Sequence, residues 1–74
     1  MEFKVLLKNT KDVEEFVEAA SRCTGDIDMK SGSIYLDAKS LLGVMSMGMK
    51  REMQVICNHQ DKQFLKTVRK FAVA

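Results

Sequence analysis

Seventy-four residues suffice for one domain and not two, and residues 1–74 are expected to form a single unit. A hydrophobic content of 46% beside 30% charged residues excludes a disordered chain, which would pair few apolar residues with lopsided charge. The formal net charge of only +2, with Lys and Arg interleaved among Asp and Glu, argues against nucleic acid as a partner.

The first element is a strand. Over residues 2–8, Phe3, Val5 and Leu7 alternate with Lys4, Leu6 and Lys8, which predicts one buried face. Asn9 or Thr10 then caps a helix, with Asp12, Glu14 and Glu15 near its positive end. Val13, Phe16, Val17 and Ala20 recur at i, i+3, i+4 and i+7 and form its apolar stripe, and Thr24-Gly25 ends it.

Residues 26–30 alternate again with Ile27 and Met29 inward, and Ser31-Gly32 offers a two-residue hairpin loop. Residues 33–36 return with Ile34 and Leu36 inward and Tyr35 outward. Ser40 caps a short helix over the apolar run that follows, and Gly48 ends it. A fourth strand covers 52–57, with Met53, Val55 and Cys57 on one side. Asn58, His59 and Gln60 turn the chain into a last helix whose apolar stripe is Phe64, Leu65, Val68, Phe71 and Ala72. Lys62, Lys66, Arg69 and Lys70 make the solvated face of that helix. The order βαββαβα predicts an α+β fold, an antiparallel sheet with helices on one face and the other face wet.

Chemistry-bearing residues are few. Cys23 and Cys57 are far apart without CxxC spacing, and the sole histidine is His59, so neither a metal site nor a cofactor is expected. Two buried, reduced thiols fit best, and with them a cytoplasmic setting. Met-Glu-Phe-Lys lacks the basic-then-apolar layout of a signal peptide, and no apolar run reaches transmembrane length, so a membrane is not an expected partner. Without a nucleophile or an acid–base pair in reach of one another, the chain does not read as an enzyme.

The run Tyr35-Leu36-Asp37-Ala38-Lys39-Ser40-Leu41-Leu42-Gly43-Val44-Met45-Ser46-Met47-Gly48 closely resembles the HPr family of the bacterial sugar phosphotransferase system, whose short second helix carries a Lys-Ser-x-x-Gly-Val-Met-Ser-x-Gly pattern. Ala20-Ser21-Arg22 resembles the end of that family's first helix, and Asp26-Ile27 the start of its second strand. The resemblance implies an open-faced β-sandwich, a four-stranded antiparallel sheet covered on one face by helices. It also implies two sites: a histidine before the first helix that takes phosphate from Enzyme I and passes it to a IIA component, and a serine capping the second helix that a dedicated kinase modifies.

Counting back from Ser21 without gaps, the histidine position falls on Asn9, and the arginine and proline that follow it fall on Lys11 and Asp12. An amide forms no phosphoramidate, lysine lacks the two-pronged geometry of arginine, and Asp12 adds negative charge where the family binds phosphate. His59 is no substitute: it follows a strand expected to run antiparallel to the first, about 17–20 Å from the vacant position. Ser40 matches the regulatory serine, with capping alone as the bland alternative. Taken alone, the apolar run would belong in the core. By the resemblance, Leu41, Leu42 and Met45 form an exposed patch that docks partners, and Met47 and Met49 extend it as a soft surface.

The reading reached from the sequence is an HPr-like adaptor or regulator without the phosphoryl-accepting histidine. Its expected partners are proteins: the HPr kinase, a transcription regulator of the catabolite-control type, or phosphotransferase-system enzymes. A monomer or weak homodimer is expected. The alternatives are a conventional HPr phosphocarrier and a small nucleic-acid-binding or structural α+β domain.

Overall fold

In the computed structural model, residues 2–58 and 61–73 are described. Among the described residues, five strands and three helices follow one another as β1 (Glu2–Leu6), α1 (Thr10–Ser21), β2 (Ile27–Ser31), β3 (Ile34–Asp37), α2 (Leu41–Gly43), β4 (Glu52–Cys57), α3 (Lys62–Val68) and β5 (Ala72–Val73). A π turn over Val44–Gly48 continues α2, and a 3-10 turn over Arg69–Phe71 links α3 to β5. The sheet is antiparallel in the order β3-β2-β4-β1-β5.

The strands form where alternation places them. Val5, Met53, Val55, Met29 and Ile27 are buried under the helices, while Lys4, Lys30 and Tyr35 face solvent. Helix α1 lays Val13, Phe16, Val17 and Ala20 on that apolar face. Phe16 is fully buried and meets the edges of Phe64 and Phe71, with ring centroids at 5.9 and 6.5 Å, which locks α1 to the last helical segment. Asp61 caps α3, accepting from the Phe64 N–H at 3.0 Å.

Three expectations are corrected. The hairpin loop is Gly32-Ser33, one residue later than Ser31-Gly32, because Ser31 still pairs with Ile34. Gly32 takes the positive φ of 60° at the first loop position, which a side chain would resist.

The sheet has five strands rather than four. The last helix does not run through Ala72. Its final turn tightens so that Phe71 can enter the core, and Ala72 and Val73 then pair with Val5 and Lys4. That pairing covers part of the β1 edge, whose backbone groups would otherwise lack partners.

Third, the run after Ser40 is not one uniform helix. A single α turn passes into the wider π turn, and this re-aims the side chains that follow.

Candidate functional site

At the amino end of α1, Asn9 is extended, with φ −153° and ψ 177°, and serves as the N-cap. Its Oδ1 accepts from the Asp12 N–H at 2.9 Å, and its carbonyl accepts from the Val13 N–H at 3.2 Å. Asp12 answers in the other direction: its Oδ2 accepts from the Lys8 N–H at 3.0 Å. The result is a reciprocal cap in which side chain and backbone bond both ways across the first turn. Lys11 is exposed one residue before Asp12. The Asn-x-x-Asp spacing is a capping-box variant visible in the sequence.

At the amino end of α2, Ser40 is exposed, and its Oγ accepts from the Gly43 N–H at 3.2 Å. A Cβ at residue 43 would stand 3.1 Å from that Oγ, so glycine leaves the hydroxyl its room. The neighbouring Lys39 reaches away: its Nζ donates to the Cys23 carbonyl at 2.8 Å, beyond the carboxyl end of α1. No sequence signal foretells that contact, which joins residues 16 apart.

These bonds fix how the two helices lie. Lys39 ties the start of α2 to the far end of α1. The Lys50 N–H donates to the Leu7 carbonyl at 2.7 Å, and Leu7 bridges to Met49, which ties the end of the π turn to the loop before α1. Lys50 adopts a left-handed φ of 64° at this junction. The α2–π segment therefore runs antiparallel to α1, with Ser40 toward the carboxyl end of α1 and the end of the π turn toward its amino end.

Between them lies the apolar patch. Leu42 is 79% exposed, Leu41 46% and Met47 45%. Met45 departs from expectation: it is half-buried and packs against the core, whereas Met47, two residues on, is exposed. Val44 and Gly48 are the buried anchors of the segment. A Cβ at residue 48 would meet Val44 Cγ1 at 3.2 Å and Leu36 Cδ1 at 3.3 Å, so the turn lies close on β3.

The remaining candidates carry less chemistry. Both thiols are buried and neither forms a disulfide. Burial, helped by a hydrogen bond with Asp61, pushes the Cys23 thiol up from its ordinary 9.0, and burial does the same at Cys57. Raised thiols are poor nucleophiles at neutral pH. No group of three His, Cys, Asp or Glu side chains among the described residues could hold a metal ion. His59 lies outside the described residues. Glu2 at the start of β1 pairs with Ile56 near the end of β4, which places the end of β4 away from Asn9. Lys62, Lys66, Arg69 and Lys70 are exposed as expected, and Lys70 is paired with Glu15. No helix among the described residues is long and apolar enough to cross a membrane.

A cavity of about 130 Å³ between α1 and α3 is lined by Ala19, Cys23, Asp61 and Phe64 among others. A groove of about 300 Å³ beside β5 is lined by Phe3, Leu65, Val68 and Ala72 with flanking Glu2 and Arg69. Neither includes a residue of the two helix caps or of the exposed patch.

Comparison with known proteins places this geometry. The family described as "PTS HPr component phosphorylation site" matches residues 9–73. The fold is similar to the crystal structure of HPr-C-His from Thermoanaerobacter tengcongensis, with a TM-score of 0.73, 20% identity, and coverage of 95% of this chain and 88% of that one. No curated protein matches.

Proposed function

The chain belongs to the PTS HPr family, and on that premise we propose that it works as an adaptor or regulator that docks proteins without passing phosphate through a histidine. The family is one of phosphocarrier proteins of the sugar phosphotransferase system, not of enzymes, and its members act through protein partners. The observation that carries the finer reading is the side chain leading α1. It is an amide, Asn9, already engaged with the Asp12 backbone. Phosphoryl transfer to a protein needs a nucleophilic atom such as an imidazole nitrogen, and the amide supplies none.

The docking surface is Leu41, Leu42 and Met47, with Met45 as its half-buried floor. Apolar side chains this exposed on a short, firmly anchored segment favour a partner that covers them. Ser40 borders the patch and is the position at which a kinase would regulate it. A phosphoryl group there would set about two negative charges beside the apolar contact, near the positive end of α2. The candidate partners are the HPr kinase, a catabolite-control type of transcription regulator and enzymes of the phosphotransferase system, in the cytoplasm.

The test is a two-armed labelling assay. One arm holds Enzyme I with phosphoenolpyruvate, the other the HPr serine kinase with ATP, and Ser40→Ala is the control. Label in the kinase arm alone, abolished by Ser40→Ala, is expected. Acid-labile label in the Enzyme I arm would favour the conventional phosphocarrier and defeat the reading of Asn9.

A further inference from the structure

A strand turns alternate side chains to opposite faces, and the face of this sheet away from the helices is uncovered. The register lays that face out in rows across the strands. Lys4 pairs with Gln54, Gln54 with Lys30 and Lys30 with Tyr35, which makes one row from β1 to β3. Two residues along the strands, about 7 Å away, Glu2 pairs with Ile56, Ile56 with Asp28 and Asp28 with Asp37. A basic row thus lies beside an acidic one. Lys4, Lys30, Glu2 and Asp37 are exposed, and Asp28 is half-buried. Among the described residues the ion pairs are Arg22–Glu18 and Lys70–Glu15, both on the helical side, so the two rows do not neutralise each other. The Gln54 amide donates to Glu2, and the Tyr35 hydroxyl donates to Asp28 at 3.5 Å. These neutral donors orient the carboxylates and leave their charge.

We propose that this face is a self-complementary docking surface whose occupant is a second copy of the chain, seated face to face. A two-fold axis parallel to the rows and midway between them exchanges the rows and sets each strand over its own counterpart. Lys30 of one copy then meets Asp28 of the other, Lys4 meets Glu2, and Tyr35 meets Asp37, each twice by symmetry. Gln54 and Ile56 meet at the centre. Were the two rows of one sign, the same operation would set like charge against like. The molecule measures 25 × 24 × 24 Å, so one full face offers about 600 Å² per copy, near the lower limit for a specific interface. Charge pairs at such a surface are screened by salt. The dimer is therefore weak and salt-sensitive. The inference does not rest on the adaptor reading, since the Leu41 and Leu42 patch belongs to the helical layer on the other side of the sheet.

Sedimentation equilibrium of the full chain, at about 0.05 M and about 1 M sodium chloride, is the test. One variant carries Lys4→Glu with Lys30→Glu, the other Glu2→Lys with Asp28→Lys, and melting temperatures check that both fold. The unsubstituted chain is expected to dimerise at low salt and to weaken by about tenfold or more at high salt. Each variant alone is expected to lose self-association by at least about tenfold, because like charges then face each other. An equimolar mixture of the two is expected to restore it, because an acidic face then meets a basic one. A merely structural role for these residues would not produce that rescue. Should Asp28→Lys unfold the second variant, the lysine reversals and the salt dependence decide the matter. A chain monomeric at both salt concentrations up to about millimolar, a reversal variant that associates as the unsubstituted chain does, or a mixture of folded variants that stays monomeric would overturn the inference. So would a dimer abolished by Leu42→Asp and kept by the reversals, which would assign self-association to the helical patch.

Discussion

The amino ends of α1 and α2 solve one problem in opposite ways. At α1, twelve residues long, Asn9 and Asp12 bond across the first turn in both directions. At α2, a single α turn, Ser40 makes one side-chain bond at 3.2 Å, no acidic residue stands in the first turn, and the hydroxyl is exposed. The same attraction between a helix start and negative charge operates at both. At α1 the chain supplies the charge itself; at α2 it leaves the position uncharged, where a modification can add it. The contrast is one of closure: the first turn of α1 is bonded from both sides, and that of α2 from one.

Breaking the core beneath α1 has the largest effect. Phe16→Ala removes the fully buried ring that meets Phe64 and Phe71, and is expected to cost about 3–5 kcal/mol in denaturant unfolding. A domain this small has little stability to spare, so the variant is expected to be largely unfolded at moderate urea.

Removing the caps one at a time sharpens the comparison. Asn9→Ala is expected to cost about 1–2 kcal/mol, because it opens the longer helix and strands the Asp12 N–H, whereas Ser40→Ala is expected to cost nearer 0.5–1 kcal/mol. A larger loss from Ser40→Ala than from Asn9→Ala, measured by the same urea titration, would invert the contrast between a closed and an open helix start.

At the far end of α1 the expected effect is smaller and depends on pH. Cys23 and Cys57 are both held above the ordinary 9.0 in the folded chain. The unfolded chain therefore loses its thiol protons first as pH rises. The stability these thiols contribute is complete below the unfolded value and declines as pH climbs through it toward the folded one. Unfolding free energy is thus expected to fall in alkaline solution, and a Cys23→Ala, Cys57→Ala double variant should show a shallower fall.

The smallest effect on stability belongs to the patch. Leu42→Asp changes a side chain that is 79% exposed and is expected to shift stability by no more than about 0.5 kcal/mol. Partner binding should nonetheless fall by more than tenfold, as is usual for a charge set in an apolar contact. A partner that binds this variant unchanged does not use the patch.

Much of this architecture was legible because its signals are local. Alternation marked the strands at Phe3-Val5 and Met53-Val55, a helical stripe marked α1, and short polar residues at Asn9 and Ser40 marked both caps. The element order and the resemblance of residues 35–48 then pointed to the open-faced sandwich. The role of Asp12 was half legible, since its spacing from Asn9 is that of a cap, but the bond to the Lys8 N–H depends on the conformation of the loop leading into α1.

What tertiary structure alone decided arises between residues distant in sequence. The pairing of Ala72 and Val73 with Val5 and Lys4 joins the two ends of the chain, and no local propensity in a two-residue strand announces it. The half-burial of Met45 and the exposure of Met47 belong to a π turn whose Gly48 lies close on Leu36 of β3. Lys39 spans to the Cys23 carbonyl only because α2 packs along α1. The sequence by itself determined which segments become strands and helices and which residues begin them, since those choices are governed by neighbours within one or two turns. The edge partner of β1 and the side chains left exposed between the two helix starts were decided only by packing, because those free energies do not exist until the sheet and helices meet.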